Sequence, residues 1–193
     1  MKKLTLSFIA LLATSVLFGQ TTWNLDNSHS NIGFTVDHMV ISETEGEFQN
    51  FTATVTSDKA DFNGAEITFT ADVNSINTDN EKRDGHLKSD DFFGAEKYPK
   101  ITFKGKLVKK DNNDYELKGD FTMKGVTKKI TFPVDYRGTI KDPYGMTRAG
   151  FKIKGVVNRT DYGLKWNSLT EAGGMVVGED VNIICNVEII KKG

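Results

Sequence analysis

Cysteine occurs once in the 193 residues, at Cys185, so no internal disulfide braces this chain. Proline occurs only three times, which leaves little to interrupt long strands. Charge of one sign is also missing. With 25 Lys+Arg against 26 Asp+Glu the net charge is −1, without the basic excess that phosphate neutralisation requires, so nucleic acid is not an expected partner. The sequence has no Gly-x-Ser-x-Gly elbow, no His-Glu-x-x-His and no phosphate loop, and therefore none of the common signatures of hydrolysis or nucleotide chemistry. Internal repeats, linkers and low-complexity segments are absent too. What is abundant is phenylalanine and glycine, 13 and 18 residues, a composition that favours many strands joined by tight turns over long helices.

The one extended apolar run, Leu4 to Phe18, follows the basic start Met1-Lys2-Lys3 and is short for a membrane span. It reads as a secretory signal peptide cleaved near Gly19 or Gln20, with no lipoprotein cysteine behind it. Removing residues 1–20 takes only Lys2 and Lys3 from the charged set, which moves the net charge from −1 to −3. The expected product is one domain, residues 21–193, periplasmic or secreted and not stably inserted in a membrane.

Past residue 20 apolar residues alternate, the pattern of half-buried strands. The inward sets are Ile32, Phe34, Val36 and His38; Ile67, Phe69, Ala71 and Val73; Ile101 and Phe103; Leu117, Gly119, Phe121 and Met123; and Ile130, Phe132, Val134 and Tyr136. Phe151, Ile153, Gly155 and Val157, then Val181, Ile183, Cys185, Val187 and Ile189, complete at least seven strands. Turn residues cluster between them at Asp61–Gly64, Lys109–Asp114, Lys124-Gly125 and Asp142–Gly145, so the strands form an antiparallel meander. One stretch differs. Thr78-Asp79-Asn80-Glu81 has capping-box spacing before a short helix over Lys82–Lys88, and Ser89 is placed to cap a further turn through Phe93. Leu87, Phe92 and Phe93 are then expected to pack on one end of the sheet. About eight antiparallel strands either close into a barrel or fold into a sandwich, and the alternation alone suits both.

Particular blocks narrow this. Trp23-Asn24-Leu25-Asp26 with His29-Ser30-Asn31-Ile32-Gly33-Phe34-Thr35-Val36-Asp37-His38, then Gly46-Glu47-Phe48, Arg83–Phe93, Tyr98–Phe103, Gly119–Thr127, Arg159–Gly163 and Gly178–Val181 occur in one order across the chain. In that order they resemble the YceI-like family of exported, lipocalin-like, polyisoprenoid-binding proteins. Gly94 and Tyr162 depart from the usual family residues. The resemblance implies an all-β fold, an extended eight-stranded antiparallel barrel of the lipocalin-like kind with one short helical segment. Its apolar channel would take the tail of an isoprenoid quinone or a similar amphiphile as a ligand, with no cofactor and no catalytic residue.

On that expectation the channel is lined by Phe34, Val36, Phe48, Phe69, Phe92, Phe93, Phe103, Phe121, Met123, Phe132, Phe151 and Trp166. The charged cluster Arg83, Asp84 and His86, with His38, Arg159 and Asp161, is expected at the mouth, where a polar head group would sit. Arg159 and Asp161, two apart on an expected strand, face the same side and are placed to pair. His29, His38 and His86 match no zinc spacing, so no metal is expected. Cys185 alternates with Ile183 and Val187 and reads as a buried, inert thiol. Two other readings stay open, a non-catalytic scaffold barrel and a hydrolase using Ser28-His29 or Asp84 with His86; monomer and homodimer are both compatible with the sequence.

Overall fold

The computed structural model describes residues 20–169, 171 and 174–192; the expected leader up to position 19 lies outside the described residues. In chain order the elements are β1 (Thr21–Leu25), β2 (Asn31–His38), β3 (Ser42–Phe48), β4 (Phe51–Ser57), β5 (Glu66–Asp72), β6 (Ile76–Asn77), α1 (Glu81–Lys88), β7 (Lys100–Asp111), β8 (Asp114–Met123), β9 (Val126–Lys141), β10 (Thr147–Asn158) and β11 (Val177–Lys191). Every pairing is antiparallel, and the ring β1-β4-β5-β7-β8-β9-β10-β11 closes when β11 returns to β1. The other half of β11 pairs with β2, which continues to β3 and β6. Thus β1/β2, β3/β4 and β5/β6 are each one interrupted strand of an eight-stranded closed barrel, the architecture expected from the sequence.

The interruptions have local causes. Asp26 and Asp72 each accept a backbone N–H two residues on, from Ser28 at 3.1 Å and Asn74 at 2.9 Å, which diverts the chain from the ladder into a short 3-10 turn. The breaks also lie side by side. Asn27 Nδ2 donates to the Phe51 carbonyl at 3.2 Å, and the Gln49 and Asn50 N–H groups donate to the Ser75 carbonyl and hydroxyl at 3.1 and 2.9 Å. They therefore form one line of hinges across the wall. It divides a floor half, holding β1, β4 and β5, from a rim half, holding β2, β3, β6 and α1.

Two seams in the rim half are not sealed by strand pairing. Among the described residues the β9–β10 register ends at Val134↔Ile153, next to Pro133, a residue with no N–H to offer a ladder. Beyond it Thr127–Pro133 pair with β8 and Lys154–Asn158 with β11. The second seam lies between β6 and β7 and is covered by α1 and the chain to Pro99, whose carbonyl accepts from Val73 N–H at 2.9 Å.

The helix corrects part of the sequence reading. Asn80 is its N-cap, accepting from Arg83 N–H at 3.0 Å, whereas the Thr78 hydroxyl, two residues farther out, donates to buried Asp84 at 2.6 Å. The residues through Phe93 form the further turn expected, but the Ser89 hydroxyl closes α1, donating to the His86 carbonyl at 2.7 Å. Leu87, Phe92 and Phe93 do pack on the rim end of the core. The sequence reading did not identify β3, Ser-Glu-Thr-Glu-Gly-Glu-Phe, because its inward positions are Thr44 and Gly46 before the first apolar residue, Phe48. Val73, expected on a strand, lies in the 3-10 turn after β5.

The floor is an aromatic plug. Phe62, 1% exposed on the β4–β5 loop, has ring centroids of Trp23, Phe151 and Tyr136 at 5.0, 5.2 and 5.9 Å. Tyr115 beside them donates its hydroxyl to the Asp61 carbonyl at 2.6 Å. The floor half is further tied by Arg148 on β10, which donates to Asp26 at 2.5 Å and to Glu188 and Asp142 at 2.6 Å each. Asp26 also accepts from the Ser28 hydroxyl at 2.6 Å and contacts His29 Nδ1 at 2.9 Å. These bonds, the Ser28 contact foremost, hold the Asp26 carboxyl well below the usual carboxylate range; Asp142 is lowered as well, chiefly by Arg148.

Two outcomes follow. Phe62→Ala opens the floor and is expected to cost about 3–5 kcal/mol of unfolding free energy in urea titrations, the range for buried Phe→Ala. Because both carboxylates have depressed folded-state values, their stabilisation is present above the ordinary value near 4 and is lost as pH falls through the folded values. The urea midpoint should therefore drop steadily below pH 4. In Arg148→Met, where the cation is gone, that acid limb should be shallower and the neutral-pH midpoint lower.

Candidate functional site

An apolar cavity of about 230 Å³ runs inside the barrel between the floor cluster and the rim cluster. Among the described residues, thirty on its wall are aliphatic, aromatic, Met123 or Cys185; the thirty-first is Arg159. Eleven of the twelve expected lining residues, Phe34, Val36, Phe48, Phe69, Phe92, Phe93, Phe103, Phe121, Met123, Phe132 and Phe151, stand on this wall. Trp166 does not. It packs behind the wall, with ring centroids 5.3 Å from Phe92 and 4.8 Å from His86.

An eight-stranded barrel has an interior just wide enough to be filled by its own side chains. This one stays hollow because its phenyl rings lie along the wall over inward-facing glycines. Phe34 lies over its cross-strand partner Gly46, where a Cβ would sit 2.9 Å from Cε1. Gly105 and Gly119 face each other on β7 and β8, and a Cβ at either would come 2.6 Å from Cζ of Phe103. On β10, a Cβ at Gly155 would fall within the ring of Phe132, 2.5 Å from Cε1. Gly119 and Gly155 fall at inward positions of the sequence alternation, and a glycine at an inward position in a Phe-rich meander is the signal that reveals this packing.

The expected mouth residues are scattered along the rim and engaged with their own surroundings. Arg83, exposed, folds back on Thr78, donating from Nε to the hydroxyl at 2.8 Å and from Nη2 to the carbonyl at 2.6 Å. Asp84 is buried and accepts from Thr78 N–H at 2.9 Å. His86 Nε2 is 3.0 Å from the Asp91 carboxylate. His38 ends β2, opposite Ser42 and Val177.

The expected Arg159–Asp161 pair does not form, because both residues lie in a 3-10 turn, not a strand. Arg159 points inward, 3% exposed, and donates to four backbone carbonyls: Gly178 at 2.7 Å, Leu164 at 2.5 Å, Trp166 at 2.9 Å and Val177 at 3.2 Å. Burial lowers its pKa from the usual guanidinium value. Asp161 is exposed and pairs with Lys128 at 2.9 Å. Cys185 sits on the wall with its thiol pushed up to about 12 by burial, so it stays protonated at neutral pH and lacks the thiolate that nucleophilic attack needs.

Asp26, His29 and Glu188 bring possible ligand atoms within 4.8 Å of one another, outside the cavity. The Arg148 guanidinium already bonds both carboxylates, so a cation stands between them without any metal.

A closed eight-stranded antiparallel barrel with a blind floor and an apolar lumen defines the class of hollow calyx proteins. Within that class the chain belongs to the YceI-like family: the YceI-like domain matches residues 23–189. A UPF0312 protein of Staphylococcus aureus (strain N315) is 38% identical over 169 residues, 87% of this chain and 96% of that protein. The crystal structure of the Campylobacter jejuni YCEI protein is 33% identical with a TM-score of 0.71, covering 88% of this chain and 97% of the other. A polyisoprenoid binding domain from Saccharophagus degradans shares the fold, with a TM-score of 0.66 at 15% identity over 88% of this chain and 98% of that one.

The ring-over-glycine packing makes a direct prediction. Gly155→Ala should push the Phe132 ring off the wall, at a cost of about 1–3 kcal/mol typical of overpacking. Adding Phe132→Leu should recover part of that loss, a non-additivity measurable in a double-mutant cycle by urea denaturation.

Proposed function

We propose that this protein binds, and thereby stores or carries, an amphiphilic lipid whose isoprenoid or long alkyl tail occupies the barrel cavity. The observation that carries the reading is the wall itself, apolar at every described lining residue except Arg159. A lumen of this chemistry attracts by area. At roughly 25 cal/mol for each Å² of apolar surface removed from water, a tail gains free energy along its whole length and needs no directional contact. The volume, about 230 Å³, lies below the roughly 300–1,000 Å³ of ordinary small-molecule pockets, which suits a slender chain better than a fused ring system.

The same wall argues for carriage over catalysis. Arg159 spends its guanidinium on four carbonyls, and the Cys185 thiol is protonated. No acid–base pair is among the described lining residues. Family membership and the fold shared with a domain named for polyisoprenoid binding support the reading. An isoprenoid quinone is the ligand we favour. Its head would emerge on the rim side, because the Phe62 plug fills the floor. Residues 1–20 read as an export signal, and a carrier for a water-insoluble tail has its use in the periplasm or outside the cell.

Native mass spectrometry of protein isolated from its own host, followed by solvent extraction, tests this: a stoichiometric isoprenoid lipid is expected. An empty protein that also takes up no quinone in vitro would leave the barrel as a scaffold. Phe132→Asp places an unpaired carboxylate on the wall and should abolish uptake. If it retains native circular dichroism and still binds, the tail does not lie in this cavity.

A further inference from the structure

The β2–β3 turn carries Met39, Val40 and Ile41, with Val40 and Ile41 80% and 85% exposed. No turn chemistry asks for these residues. Met39 and Val40 have φ of 53° and 64°, a region in which a β-branched side chain is a steric outlier and where Gly, Asn or Asp would be the ordinary choice. Beside this turn is a second apolar tip. Met39 N–H donates to the Val176 carbonyl at 2.9 Å, and Val176 follows Met175, which bridges Leu169; Leu169 is 72% and Met175 42% exposed.

Both tips stand at the rim end of the channel. Val36 and Val177, on the cavity wall, lie just behind them on β2 and β11, and Val177 is the register partner of His38. Exposed apolar side chains at the end of a lipid-type cavity, two of them held at positive φ, are a surface held ready for an apolar phase.

We propose that these two tips dip into the interfacial layer of a lipid bilayer, so that the channel is loaded and emptied at the membrane surface; this rests on the lipid-carrier reading above. The local charge selects the bilayer. Between Asn31 and Phe48 there is no Lys or Arg, while Asp37, Glu43 and Glu45 are exposed, and at the second tip exposed Lys165 is offset by exposed Glu171, so a zwitterionic surface is accepted and an anionic one is repelled. The floor end, where Thr21 pairs with Ser57, points away from the tips. An uncleaved leader would therefore bring the opposite end of the barrel to the membrane.

The test is local fluorescence. Cys185 is buried, so an environment-sensitive dye can be placed by Ile41→Cys at the tip or by Ala60→Cys in the floor loop. With phosphatidylcholine vesicles the tip label should shift to the blue and the floor label should not. Replacing half the lipid by phosphatidylglycerol at low salt should weaken the shift. In unlabelled protein, Val40→Gly relieves the positive φ, so the melting temperature should hold or rise while the vesicle-bound fraction falls at least tenfold. A purely structural turn would not show that opposition. A silent tip label, a floor label that shifts instead, or Val40→Gly binding vesicles as well as the parent would each overturn the proposal. Quinone uptake from detergent solution, measured on the same proteins, separates the readings: failure there removes the carrier function, whereas normal uptake without vesicle contact removes only the membrane step.

Discussion

The hollow interior rests on one steric arrangement, phenyl rings laid along the wall over glycines. At Gly46 and Gly155 the missing Cβ is the space that a neighbouring Phe occupies; at Gly105 and Gly119 the Phe103 ring shares that space with the facing backbone, whose Lys118 and Lys104 carbonyls a Cβ would meet first, and the lumen keeps what the rings would otherwise fill. Each such glycine weakens its strand, since it adds backbone entropy to the unfolded chain and no packing of its own. Strand pairing on both sides and the ring above offset that cost. The cavity is thus a product of local compensation between residue types, with no single large side chain withheld.

Polar chemistry is confined to places where it shapes the barrel. Asp26, Asp142, Glu188 and Arg148 lock the floor half from outside, and Asp84 with Thr78 and Arg83 holds the helix to the rim. Arg159 is the instructive case. A buried cation without a carboxylate is costly unless it is well hydrogen-bonded, and four of the five guanidinium N–H groups donate to carbonyls of the rim segment. Its work is to gather Leu164, Trp166, Val177 and Gly178 around one point, and the lumen meets the result as an apolar wall.

The alternation of apolar residues made most of the barrel legible in the sequence: β2, β5 and β7 to β11 carry it because each has one face in the core and one in water. Closure was not legible, since the same alternation serves a sandwich, and the family resemblance supplied it. β3 escaped notice because Gly46 and Thr44 take inward positions that would otherwise be apolar. The wall residues were readable for the reason the strands were. The rim was not, because a charged residue's partner depends on turn geometry: Arg159 and Asp161 separate once their backbone is a 3-10 turn, and Trp166 turns its ring to His86 and Phe92 behind the wall.

The hinge line across the three interrupted strands gives the molecule a gradient of rigidity. Below it the ring of ladders is complete and plugged by aromatics; above it, two seams are held by side chains, a helix and a single backbone bond. Regions of that kind open at lower free energy than the ladders beneath them. The barrel therefore behaves as a stiff cup with a yielding lip. The lip takes up local opening while the cup keeps its shape, so the dimensions of the lumen are fixed below the hinge line and the strain of any opening falls above it.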